Sequence, residues 1–114
     1  MCGRFSVALS ATTLASHSNV QESVAWKERY NLAPSQEVLT VVQPSGGARE
    51  IRRMRWGLIP SWAKDASIGN RLINARAETV AEKPAFRTAL RERRCLILAD
   101  GFYEWDSRGT TKQP

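Results

Sequence analysis

Residues 37–59 constrain the fold more than any other stretch of the chain. EVLTVVQ (37–43) is dominated by β-branched and apolar side chains, and Pro44-Ser45-Gly46-Gly47 follows it. REIRRMRWGLI (49–59) then runs back. β-Branched residues suit a pleated surface, and Pro/Gly clusters punctuate it. The unit reads as a β-hairpin, so an antiparallel sheet organises the fold.

The flanking segments extend that sheet. In RFSVAL (4–9), Phe5, Val7 and Leu9 alternate at strand period. Between residues 10 and 27, Leu14, Val20, Val24 and Trp26 can line one face of one or two short helices, with Ser10 or Thr12 as cap. YNL (30–32) enters a turn stiffened by Pro34. Pro60 ends the returning strand, 61–71 reads as a loop, and LINARAET (72–79) passes from strand to loop. Phe86 and Leu90 fall at helical spacing within 84–94, with Pro84 suited to a first helical turn. CLILAD (95–100) and GFYEWD (101–106) read as strands, the first buried with Cys95 as a packed thiol. Ser107-Arg108-Gly109-Thr110 reads as a turn and TKQP (111–114) as the approach to a further strand. The expected fold is α+β: a mixed, largely antiparallel sheet curling toward a barrel, with short flanking helices. Residues 1–114 are expected to form one domain, incomplete at its C-terminal side.

The charge balance narrows the partners. Seventeen Lys+Arg against eleven Asp+Glu give a net charge of +6. Such a surplus draws polyanions, nucleic acid being the usual one, although a basic protein without such a partner is an equal reading. Two cysteines make no disulfide framework, and a single histidine, His17, gives no metal-ligand set. No metal and no cofactor are expected. No run approaches the roughly 18 apolar residues of a membrane span, and the start lacks a secretory apolar region. A reducing cytosol suits a free thiol at Cys2. A cytoplasmic monomer is expected.

The chemistry concentrates in four places. MCGRF (1–5) sets Cys2 behind the initiator methionine. Trimming of Met1 would leave an α-amine and a thiol on adjacent carbons, with reference pKa values near ~8 and ~8.5. Such a 1,2-aminothiol condenses with an aldehyde to an imine and then closes to a thiazolidine. Most cysteines are inert, and from the pentapeptide alone an incidental small residue is the plainer reading of Cys2. NARAET (74–79) brings Asn74 and Arg76 together; an amide can hold an amine, and a guanidinium can fork onto phosphate. A turn in which Asn74 satisfies backbone groups is the plainer reading. GFYEW (101–105) sets Glu104 among aromatic residues, where desolvation would raise its pKa toward that of a neutral-pH acid/base. On pattern alone, strand alternation favours a solvated Glu104. WGLIPSW (56–62) carries Trp56 and Trp62, which can stack on bases, though at least one should be core. Arg53 and Arg55 share a strand face beside them and suit phosphate contact, and Arg71 at the end of the following loop is grouped with them.

Taken in order, MCGRF, YNLAPSQ, RWGLIPSW, INARAET, PAFR and RRCLILADGFYEW resemble the SOS-response-associated peptidase (SRAP) family, also described as abasic-site processing proteins. The resemblance spans nearly the whole chain. It implies capture of the ring-opened aldehyde of an abasic site in single-stranded DNA by the exposed Cys2. The product would be a stable thiazolidine crosslink. Asn74 matches the asparagine that orients the cysteine's N-terminus, and Glu104 the glutamate that moves protons. Arg4, Arg76 and the Trp56–Trp62 loop match segments facing DNA, and Pro34 a loop near the active site. The implied activity is an abasic-site crosslinking enzyme. An N-terminal-nucleophile (auto)peptidase and a non-catalytic basic DNA-binding fragment are the alternatives.

Overall fold

The computed structural model describes residues 1–22 and 24–109. The hairpin is its backbone. β3 (Glu37–Val42) pairs antiparallel with β4 (Glu50–Arg55), from Glu37 opposite Arg55 to Val42 opposite Glu50. Four consecutive β3 residues, Val38 to Val41, are buried, so this strand is covered on both faces. The buried Thr40 hydroxyl donates to the Arg52 carbonyl at 3.0 Å, which removes the cost of an unpaired polar group. β4 instead turns its arginines to solvent. Gly46 takes φ +71° in the connecting turn, and Gly47 N–H closes it on the Pro44 carbonyl.

The first sheet has the order β4-β3-β5, with β5 (Leu96–Ile97) on the other side of β3. The second is built from β1 (Phe5–Val7), β2 (Arg29–Leu32) and β6 (Gly101–Phe102) in the order β2-β1-β6. Every pairing is antiparallel. The α+β class stands, but among the described residues the strands form two three-stranded sheets and no barrel closes. The core lies where the sheets meet: Phe5, Val7, Leu14, Leu32, Val38, Leu39 and Trp56.

The helices are shorter than expected. α1 (Ala11–His17) starts at Ser10, whose hydroxyl accepts from Thr13 N–H. It ends because Asn19 enters the left-handed region at φ 55°. Asn19 N–H then reaches the Ser16 carbonyl and Val20 N–H the Ala15 carbonyl, which closes the helix with its last carbonyls satisfied. Val24 and Trp26 pack against the core from irregular chain. α2 (Arg87–Glu92) begins three residues after Pro84, which sits in the preceding turn, and it buries none of its residues.

Three further expectations are corrected. The 61–71 loop contains a 3-10 turn, Ala66–Asn70, capped by the Asp65 carboxylate on Ser67. Residues 72–79 contain no strand. Cys95 is exposed rather than packed, and its neighbours Leu96 and Ile97 are 71% and 50% exposed. β5 is an edge strand of two residues, and α2 lines an open cavity with Leu96 and Ile97 instead of packing onto them. Residues 110–114, with the expected final strand approach, lie outside the described residues.

Candidate active site at the N-terminus

Pairing of β1 with β6 builds the site. Phe5 lies opposite Phe102 and Ser6 opposite Gly101, and Tyr103 N–H continues the ladder onto the Arg4 carbonyl at 2.9 Å. GFYEW is thereby laid antiparallel beside MCGRF, and Glu104 arrives at the chain start. Its Oε1 is 3.3 Å from the Met1 ammonium. From the other side, the Asn74 amide donates to the Cys2 carbonyl at 2.7 Å. The Cys2 thiol lies 3.4 Å from the Arg4 carbonyl. An amide and a carboxylate, remote in sequence, thus both reach the N-terminal dipeptide.

Asn74 reaches Cys2 from chain without regular structure. Leu58 N–H donates to the Leu72 carbonyl at 2.9 Å, and the Trp56 indole donates to the Ile73 carbonyl at 2.9 Å. Gly57 makes the approach possible. It has φ +122°, and any Cβ on it would run into the Gly69 carbonyl. The Pro34 turn is pinned nearby: Ser35 N–H donates to the Trp56 carbonyl and Trp56 N–H to the Gln36 carbonyl, each at 2.9 Å.

A cleft of about 640 Å³ opens at the chain start, with Met1, Arg4, Tyr30, Tyr103, Glu104 and Trp105 among its lining residues. Arg4 is held by a 3.0 Å bond to the Asn31 side chain, and the Tyr103 hydroxyl donates to the Tyr30 carbonyl at 2.8 Å. The Tyr30 hydroxyl donates to Glu28, and that bond, with the carboxylate's charge, raises the Tyr30 pKa above the ordinary phenol value. The cleft is therefore walled largely by aromatic rings, with the Arg4 guanidinium and the Met1–Glu104 ion pair among its lining groups.

The expected desolvation of Glu104 is not found. Its side chain is 49% exposed, because Tyr103 and Trp105 also turn largely to solvent instead of covering it. Trp56, grouped with the DNA-facing residues by sequence, is instead a core side chain: it is 6% exposed, with its ring against Phe5 and its indole N–H bonded inside the protein. Trp62, at 59% exposed, is the member of the pair available to a ligand. Arg53 and Arg55 lie on β4, in the other sheet. The first bonds the Ala25 carbonyl and stacks over Trp26, and the second bonds Asn70. Arg71 and Arg76 are exposed, Arg76 two residues beyond Asn74.

Sequence reasoning missed Asp100. Its carboxylate accepts from the Ser6 hydroxyl and from the Ala8 and Leu9 amides, and these bonds hold its pKa below the ordinary carboxylate value. Asp100 fixes the start of β6 against β1 and so aims Glu104. The Asp100-Gly101 pair between two apolar runs was the available signal. Tyr30 and Asn31 were also missed, since only the pairing of β2 with β1 brings them beside Arg4. Among the described residues no group of three or more His, Cys, Asp or Glu side chains could hold a metal ion, and no helix is long and apolar enough to cross a membrane.

Comparison with known proteins places this arrangement. The family described as SOS response associated peptidase (SRAP) matches residues 1–114. The abasic site processing protein YoqW of Bacillus subtilis is 46% identical over 108 residues, covering 92% of this chain and 48% of that protein. The chicken (Gallus gallus) abasic site processing protein HMCES is 43% identical over 70 residues, covering 58% of this chain and 21% of that protein. The crystal structure of a Bacteroides thetaiotaomicron protein superposes with a TM-score of 0.81 at 26% identity, over 97% of this chain and 51% of that one. The chain thus spans about half the length of the bacterial relative and of the solved structure. It belongs to the SOS response associated peptidase family.

Proposed function

We propose that this chain processes abasic sites in single-stranded DNA, by capturing the ring-opened aldehyde on Cys2 once Met1 is removed. The observation that carries the reading is the convergence of Asn74 and Glu104 on the N-terminal dipeptide. The names of the relatives point to the same lesion. With Met1 gone, the Cys2 α-amine adds to the aldehyde carbon and the carbinolamine loses water to give the imine. Glu104 is suited to take the proton from the amine and return one to the departing hydroxyl. The Cys2 thiol then adds to the imine carbon and its proton passes to nitrogen, closing the thiazolidine. Asn74, on the Cys2 carbonyl, limits rotation of the residue that must present both nucleophiles, and such orientation is a large source of rate. The cleft with Arg4, together with Arg76 and Trp62, suits a single strand: cations for phosphates and an aromatic face for a base. DNA contact by Arg71, and by Arg53 and Arg55 after release of their protein acceptors, belongs to the same proposal.

The test is an intact mass after incubation with a single-stranded oligonucleotide carrying one abasic site. The expected adduct equals protein lacking Met1 plus oligonucleotide, less one water. Cys2→Ala should abolish it completely and leave salt-dependent binding, whereas Cys95→Ala should leave it unchanged. An adduct that survives Cys2→Ala would sink the assignment.

The Met1–Glu104 contact favours a second reading, self-processing. Here the Cys2 thiol adds to the Met1 carbonyl carbon and the Met1–Cys2 C–N bond breaks, its nitrogen taking a proton from Glu104. Water then hydrolyses the thioester to free methionine and the aminothiol. With host methionine aminopeptidase inhibited, wild type should lose Met1 and Glu104→Gln should keep it, read by intact mass. Retention of Met1 by both proteins would exclude self-processing.

A further inference from the structure

Trp56 touches three segments, two of which lead to Cys2, although the capture chemistry above makes no use of it. Its ring packs on Phe5, three residues beyond Cys2, with centroids 5.1 Å apart. Its backbone bonds the chain on both sides of the Pro34 turn, through Ser35 and Gln36. Its indole N–H donates to the Ile73 carbonyl at 2.9 Å. That carbonyl belongs to the peptide unit that leads into Asn74. A peptide unit is planar, so a bond to its oxygen fixes the plane and the direction in which the next residue departs. Residues 72–76 have no helix or strand to supply that direction. The Asn74 amide, one residue on, meets the Cys2 carbonyl at 2.7 Å. The indole has one donor and no acceptor, and a buried unpaired N–H is costly, so breaking its bond to the Ile73 carbonyl is penalised.

We propose that Trp56 is a positioning residue for Cys2: its core-held indole N–H sets the Ile73–Asn74 peptide plane so that the Asn74 amide meets the Cys2 carbonyl. The rate readout of this inference rests on the capture reading, and its spectroscopic readout does not. A residue that merely fills the core would be equally well described by volume, so the two roles separate on loss of the N–H. Trp56→Phe keeps an aromatic ring and removes the donor. Replacement of Trp56 by 3-benzothienylalanine keeps the volume too, with sulfur in place of N–H, and covers the case in which the smaller ring unfolds the protein.

The experiment measures crosslinking to a single-stranded oligonucleotide bearing one abasic site, over a range of oligonucleotide concentrations. It uses wild type, the two Trp56 replacements, Asn74→Ala, and Trp56→Phe combined with Asn74→Ala. Loss of the donor should lower the maximal rate roughly tenfold, the scale of one buried hydrogen bond, with the half-saturating concentration unchanged. In the Asn74→Ala background, Trp56→Phe should cost nothing further, since the two act in series. The side-chain NH₂ resonances of Asn74, in protein labelled at asparagine nitrogen, should move to free-amide positions in both Trp56 replacements. A benzothienylalanine protein with wild-type rate and unmoved Asn74 resonances would overturn the inference, as would a double variant slowed by the product of the two single effects. Should wild type itself form no crosslink, the capture reading falls while the Asn74 resonances still decide the role of Trp56.

Discussion

Two regions of this molecule carry similar lettering and fold differently. MCGRFSVAL and RRCLILADGF each hold a cysteine followed by an apolar strand candidate. In the first, Phe5 and Val7 are buried and join Leu32, Leu39 and Trp56 in the core, and Cys2 is half-buried under the Asn74 bond. In the second, Cys95, Leu96 and Ile97 face outward, and the adjacent α2 buries nothing. Apolar side chains record a demand for cover, and cover arrives only where a second layer lies across the strand. β1 has neighbours on both edges and the hairpin behind it; β5 has a neighbour on one edge, and an open cavity separates its side chains from α2. The N-terminal region is therefore the better-covered side of the molecule.

The sharpest way to break that comparison is a pair of leucines. Leu39 on β3 is fully buried, and Leu96, which pairs with Val41 two residues further along the same strand, is largely exposed. Leu39→Ala should cost roughly 2–5 kcal/mol, the transfer loss plus a cavity. Leu96→Ala should stay within about 0.5 kcal/mol, as an exposed truncation does. Urea midpoints of the two variants against wild type measure both. Equal losses would mean that β5 is covered in solution and that the two regions are alike.

That contrast also marks what could be read from the sequence. The hairpin, its turn and the first strand were legible, because β-branched runs and a Pro/Gly cluster act over a few residues. The Ser10 cap was legible for the same reason. The end of α1 was not, since it depends on Asn19 adopting a left-handed conformation that a helical pattern of Val20, Val24 and Trp26 hides. Burial of CLILAD was misread because an apolar run states a preference and says nothing of the partner. The two tryptophans of WGLIPSW could not be told apart by type. Trp56 is core because it directly follows β4 and packs on Phe5, and Trp62 is exposed because it follows Pro60 into a loop. Cys2, Asn74 and Glu104 were legible only as members of ordered motifs, as no local rule relates residues 72 and 102 positions apart. What brings Glu104 to the dipeptide is the β1–β6 register, and what brings Asn74 is a set of carbonyl bonds in irregular chain.

Asp100 stands at the joint between the two regions, just after the exposed strand and just before the one that carries Glu104. The Ser6 hydroxyl first, and the Ala8 and Leu9 amides with it, hold the Asp100 carboxyl below the ordinary carboxylate range. Its folded pKa is thus lower than its unfolded one. The stability it contributes is fully present above the unfolded value, near ~4, and is lost as pH falls through the folded value. Asp100→Asn keeps the shape and removes the charge. The variant should be less stable than wild type at pH 7, and the gap should shrink as pH drops below about 4. The effect should be the smallest of those proposed, because the carboxylate is exposed and water competes for it. Urea midpoints of both proteins at pH 7 and pH 3 read the difference. A gap of equal size at both pH values would mean that the acceptor oxygen lost in the amide, and not the carboxylate's charge, ties β6 to the N-terminal strand.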